Sequence, residues 1–297
     1  MAIFSACMWG LSGTAAQYLF QHGGVQAGWL VTVRMGVSGF GLIGWGMIRR
    51  GIKPIMGIWA TPYWKSLVVF GVGGLLGVQY TYLAAIQAGN AASATLLQYV
   101  GPTMVTLWVA LAVRVWPRGR QLVAVVLTLG GTWLLVSSGR WSTLSIPPMA
   151  LVFGLLSALA LAFYTLYPVK LLSAWGTLPV VGWGMLIGAL GAGLRWPPWD
   201  LSHFRGDLMT WGLIGFVVIF GTLLSFSLYL MSLSLISPSK ASVLTSAEPL
   251  VAAVGSVVWL HVRLGVLQDM GAALIIFGVV LLALTPGLRR QSLTKSV

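Results

Sequence analysis

Long apolar runs separated by short stretches rich in glycine, proline and tryptophan dominate the chain, and they predict helices that cross a bilayer. A hydrocarbon core of about 30 Å needs about 20 apolar residues in helical form, with every backbone polar group satisfied within the segment. Runs of that kind cover residues 2–21, 27–48, 65–88, 91–114, 119–138, 148–171, 177–195, 209–234, 239–260 and 264–285, so ten helices are expected. Breaks come from Gly51 to Pro62, Trp116-Pro117-Arg118, Pro147-Pro148 and Trp196-Pro197-Pro198, while Gly89-Asn90 divides the almost uncharged stretch 65–114. No charged segment precedes the first run, which reads as a permanent span rather than a cleaved signal.

The second half of the chain repeats the first. A shift of 147 positions aligns Trp64 with Trp211, Gly74 with Gly221, Tyr82 with Tyr229, Pro102 with Pro249, Gln121 with Gln268 and Gly131 with Gly278, without a gap. The expected organisation is two five-helix halves, residues 1–139 and 148–286, with a linker at 140–147 and a basic tail at 287–297. Because five is odd, the second half enters the membrane upside down. The fold class is therefore an all-α integral membrane protein of ten transmembrane helices in two inverted repeats. Inverted repeats mark many secondary transporters, whose substrate binds near the midplane between the halves; duplication without transport is the plainer alternative. Glycines crowd the second and third runs (Gly36, Gly39, Gly41, Gly44, Gly46; Gly71, Gly73, Gly74, Gly77) and read as close helix packing.

Composition removes other classes. Of 297 residues, 58% are hydrophobic and 7% charged, against about 25% charged in soluble chains. The net charge of +13 is spread between apolar blocks instead of forming a patch, which argues against a nucleic-acid partner. Cys7 is the single cysteine and permits neither an internal disulfide nor a cysteine metal cluster. Basic residues set the orientation. Arg49, Arg50, Lys53, Lys65, Arg114, Arg118, Arg120, Lys170, Lys240, Arg289, Arg290 and Lys295 fall on the N-terminal side, and Arg140, Arg195, Arg205 and Arg263 on the other. Both termini are thus expected in the cytoplasm. Arg34 lies within the second run and counts on neither side. Trp59, Trp64, Trp116, Trp141, Trp175, Trp196, Trp199 and Trp211 sit near run ends as interfacial anchors.

Glu248 is the acidic residue that matters. Asp200 and Asp207 fall in a loop beside Arg195, His203 and Arg205, and Asp269 at the start of the last run. Glu248 lies about nine residues into the ninth run, roughly 13 Å along a helix rising 1.5 Å per residue, and an ionisable group at that depth points to function. Ser242, Thr245 and Glu248 share one helical face, and Pro249 can kink the helix there. The aligned residue in the first half is Gly101, so the charge belongs to one half only; a bond to a neighbouring helix is the plainer role. Thr95, Gln98, Gln79, Tyr82, Tyr164, Tyr167, Tyr229, Trp9, Ser12 and Gln17 are the candidate companions. Each is as well suited to an interhelical hydrogen bond as to a ligand. Together they suit a small solute with an ammonium group or an aromatic ring. Pro102 and Pro249 are candidate kinks. Lys240 reads as a snorkelling anchor, or more sharply as a gate.

The motifs Trp9-Gly10-Leu11-Ser12-Gly13, Asn90 to Thr95 with Gly101-Pro102, Phe163 to Pro168, Gly176 to Trp183, Phe226 to Leu230, and Lys240 to Ser242 with Ala247-Glu248-Pro249 occur in an order that resembles the EamA-type drug/metabolite transporters, in their YicL-like inner-membrane branch. The resemblance implies ten helices in two EamA halves, location in the cytoplasmic membrane, and movement of a small metabolite such as an amino acid or amine by alternating access, with export the expected direction. Members of the family often carry an acidic residue after the fourth and ninth spans; this chain has Arg114-Val115-Trp116 and His261-Val262-Arg263 there, which affects any gating carried by those acids. No cofactor is expected, and a proton or counter-substrate is the candidate coupling species. The partners are the solute and the lipid bilayer, with no obligate protein partner for a monomer or weak dimer. Two other classes stand as alternatives: a gradient-following facilitator or channel, of which a channel would show no saturation, and an intramembrane serine protease, whose GxSG pattern Gly10-Leu11-Ser12-Gly13 matches. His22, His203 and His261 all fall at loops or run ends, away from Ser12.

Overall fold

The computed structural model describes residues 1–114, 119–140, 144–202, 205–233, 235, 244–263 and 265–285. Helices account for the regular structure among them: α1 (Ala2–His22), α2 (Ala27–Arg50), α3 (Ile52–Met56), α4 (Tyr63–Val69), α5 (Gly77–Ala88), α6 (Ala91–Gln98), α7 (Gly101–Val113), α8 (Arg120–Ser137), α9 (Pro148–Leu166), α10 (Val169–Trp175), α11 (Thr177–Gly193), α12 (Leu208–Val218), α13 (Ser225–Leu233), α14 (Ala247–Val258) and α15 (Val266–Leu284). Seven helical stretches among the described residues are long and apolar enough to cross a membrane, and α11 and α14 are apolar but shorter. The sequence expectation of ten full-length spans is therefore met by seven on length and composition. α1 has the length, but its serines, threonine and glutamine keep it out of that set.

Three expected spans are interrupted. The run 91–114 is two helices, α6 and α7, separated at Tyr99-Val100 ahead of Pro102. Proline lacks the N–H that would continue the ladder, but it fits the first turn of a new helix. In the run 239–260, residues 239–243 lie outside the described residues, 244–245 are helical, and after a turn at Ser246 α14 begins at Ala247, so the helix is interrupted just ahead of Pro249. Glu248 accordingly lies in the first turn of α14 and not mid-helix. The run 148–171 stops at Leu166 before Pro168, and α10 follows.

Wide-turn segments interrupt two further helices. Phe70–Leu76 and Ile219–Leu224 adopt π-helix between α4 and α5 and between α12 and α13. In the second, the Thr222 and Ser225 hydroxyls donate to the carbonyls of Val217 and Phe220, five residues back, where the i−4 ladder is lost.

Packing is paired across the halves. α8 lies along α15, α2 along α11, α5 along α9, and α1 along α14. A β-carbon on Gly131 would stand 2.6 Å from the Gly271 carbonyl oxygen, and one on Gly271 the same distance from the Gly131 oxygen, so the two backbones touch. The shift of 147 carries Gly131 to Gly278 and Ala124 to Gly271, and Gly278 in turn packs against the Ala124 carbonyl. Gly39 packs on Leu186, the residue onto which the same shift carries it. The main buried core, including Leu30, Met35, Phe70, Leu83, Val180 and Met185, joins both halves.

Candidate functional site

A cavity of about 510 Å³ opens between the halves, a size ordinary for a small-molecule site. The breaks position its polar end. Asn90 caps α6 by accepting from the Ser93 amide, and Gln17 of α1 accepts from the Ala91 amide at 2.8 Å. α6 then ends, which leaves Gln98 and Tyr99 on the cavity wall beside Pro102. On the other side α1 crosses α14 at Gly10, where a β-carbon would stand 2.7 Å from the Glu248 carbonyl oxygen and 2.9 Å from the Ala252 nitrogen. Only a bare α-carbon allows that approach, and it brings Trp9 and Ser12 to the same wall as Glu248.

Glu248 is half-buried and lines the cavity. The Tyr99 hydroxyl lies 3.1 Å from Glu248 Oε2 and 2.7 Å from the Thr245 carbonyl oxygen, so its one proton is shared by two acceptors. Glu248 lies in the first turn of α14, where the positive end of the helix dipole favours a carboxylate. Aromatic rings face the same space: Trp9 meets Phe226 at 5.3 Å and Tyr229 at 5.4 Å between centroids, and Tyr164 stacks on Phe70 at 5.5 Å.

Of the residues singled out from sequence, Glu248, Thr245, Gln98, Tyr82, Gln79, Tyr164, Tyr229, Trp9, Ser12 and Pro102 line this cavity. Four do not. Thr95 is fully buried behind Tyr82; it donates to the Ala91 carbonyl, which leaves its oxygen to accept from the Tyr82 hydroxyl at 2.9 Å. Gln17 serves as the α6 cap. Tyr167 is 38% exposed and stacks on Phe163 outside the cavity. Pro249 is buried within the first turn of α14. Ser242 and Lys240 lie outside the described residues.

Arg34, Tyr99, Phe226 and Thr106 line the cavity and were not singled out. Arg34 carried a signal: it is an ionisable residue inside an apolar run, the same argument that selects Glu248. Its relative exposure is 5%. Tyr99 carried a weaker one, since it adjoins the break that Pro102 imposes.

The comparisons with known proteins accord with this architecture. Residues 1–137 and 148–284 match the EamA-like transporter family. The chain is 38% identical over 284 residues to the inner membrane transporter YicL of Salmonella typhimurium, an alignment covering 95% of this chain and 93% of that protein. A solved crystal structure of a protein 19% identical in sequence superposes with a TM-score of 0.64 over 95% of this chain and 94% of that one, a likeness of fold alone.

Proposed function

This chain belongs to the EamA-like transporter family and is a transporter rather than an enzyme, and we propose that it is a secondary carrier which exports a small organic solute through the inner membrane by alternating access. The observation that carries this reading is the hydrogen bond from Tyr99, in the first half, to Glu248, in the second, inside the cavity that both halves line. In our reading the chain makes ten crossings in two inverted five-helix halves. The exchange of Gly131–Gly271 for Ala124–Gly278 under the shift of 147 supports that symmetry, since a two-fold axis between the halves requires such an exchange. The paired interruptions support it too: α7 begins at Gly101 and α14 at Ala247, within one residue of the same repeat position. Discontinuous helices at the interface of repeats are where carriers of this kind hold their solutes.

Glu248 supplies the charge. An ammonium group on the solute pairs with its carboxylate while the rings of Trp9, Phe226 and Tyr229 take the apolar part. As the halves rock, the broken helices and π segments yield first, because their ladders are already interrupted. A proton or a counter-solute on Glu248 accompanies the return. By the distribution of arginine and lysine both termini face the cytoplasm, and no cofactor or obligate protein partner is needed.

Proteoliposome flux tests the reading. Saturable, pH-gradient-driven flux is expected, and Glu248→Gln abolishes the gradient dependence while solute binding stays measurable. Non-saturating flux would instead assign a channel, and unchanged pH dependence in Glu248→Gln would remove the coupling role.

A further inference from the structure

The cavity holds a second charge that the proposed mechanism leaves unused. Arg34 sits about 10 Å along α2 from its start, at 1.5 Å per residue, and is nine-tenths buried on the cavity wall. Its Nε finds no hydrogen-bond partner, and no ion pair joins it to Glu248 among the described residues, although the two charges and Tyr82 are within electrostatic reach of one another. Two neutral donors are in the same condition: Trp9 Nε1 and Gln79 Nε2 are buried without partners, and both residues line this cavity. Buried donors left unpaired are costly, a guanidinium most of all, and Arg34 brings to this wall a buried positive charge without an ion-pair partner among the described residues, which suits the cavity to an acceptor. Glu248 bonds to Tyr99 and to none of these three nitrogens.

We infer that Arg34 is the anion-binding pole of the cavity and that the transported solute carries a carboxylate, which Arg34 grips while Glu248 faces the solute's donor end. A planar guanidinium presents paired N–H groups that match the two oxygens of a carboxylate, and burial excludes the water that would otherwise compete. The inference rests on the transport reading in one respect, that this cavity is where the solute binds.

The test is a binding panel on the purified full-length chain in lipid nanodiscs. It comprises amino acids, the amide and the decarboxylated amine of each, and the corresponding deaminated acids. Carboxylate-bearing members are expected to bind, and replacing the carboxylate by an amide or by hydrogen weakens binding about tenfold or more, the scale of one charge-assisted hydrogen bond. Arg34→Gln brings the acid-to-amine affinity ratio close to one, and Arg34→Lys keeps part of it. A structural arginine would lower the unfolding temperature of Arg34→Gln and leave that ratio alone. Should Arg34→Gln not fold, Arg34→Lys decides: loss of the fork reduces the ratio several-fold. The inference is overturned by amines or amides that bind the wild type as tightly as acids do, by a ratio indifferent to substitution, or by a panel in which no carboxylate binds. Flux separates it from the transport reading. Saturable flux of an amine that ignores Arg34→Gln sinks the anion pole alone, whereas carboxylate binding without saturable flux sinks transport alone.

Discussion

Tyr99 and Glu248 stand 149 residues apart in the chain and 3.1 Å apart in space, and their bond crosses the boundary between the two halves. One residue closes α6 and the other opens α14, so the contact joins two helix breaks. Tyr99→Phe keeps the ring and removes the hydroxyl, leaving both the carboxylate and the Thr245 carbonyl without that donor. A loss of about 1.5–3 kcal/mol is expected from removing a hydrogen bond to a charged group, read as a lower unfolding temperature together with reduced flux.

Gly10 sets how closely α1 can approach that site. Gly10→Ala places a β-carbon within 2.7 Å of the Glu248 carbonyl oxygen, so the start of α14 must shift. Transport should fall well below that of Gly44→Ala, whose added carbon meets nothing within 4 Å. Equal flux from the two variants would show that the crossing tolerates the shift.

Gly130 and Gly131 are neighbours with opposite surroundings. Gly131→Leu collides with the Gly271 backbone, whereas nothing lies within 4 Å of a β-carbon on Gly130. Overpacking should cost Gly131→Leu about 1–3 kcal/mol and lower the detergent unfolding midpoint, with Gly130→Leu near wild type.

Thr95 and Gln17 should behave as scaffold. Thr95→Val and Gln17→Leu are expected to lower stability by about 1 kcal/mol for each lost hydrogen bond without changing the apparent KM. Gln98→Ala and Trp9→Ala, on the cavity wall, should raise KM with less effect on unfolding. A KM change in Thr95→Val would place that residue in contact with solute after all.

Asp207 caps α12 outside the membrane, and bonds from the Thr210 hydroxyl and amide hold its carboxyl below the usual value. A lowered value in the folded state means that the cap is at full strength above the ordinary carboxylate range and is lost as pH falls through the depressed one. Amide exchange at Thr210, corrected for intrinsic rates, should show that loss of protection in the wild type. In Asp207→Ala protection should be low and independent of pH.

Length, hydropathy and the scarcity of charge determined that this is a helical membrane protein, because lipid admits few other solutions for a backbone this apolar. The offset of 147 was likewise legible in aligned tryptophan, proline and glutamine, and Glu248 stood out because an acid in such a run needs a reason. Tertiary structure decided the rest. Periodicity gives a residue's direction on its own helix, not its neighbour, so Thr95, Gln17 and Tyr167 looked like Gln98 and Tyr82 until packing put the first two behind the wall and the third outside it. Helix continuity is local only in part: Pro102 and Pro249 signalled interruptions, which fall just ahead of them, but only packing brings Tyr99 and Glu248 to one point. Arg34 was readable as a charge in an apolar run, yet only the assembled bundle showed it buried beside the same cavity. That outcome depends on which face of α2 packs against α11, a choice made by contacts between residues far apart in the chain.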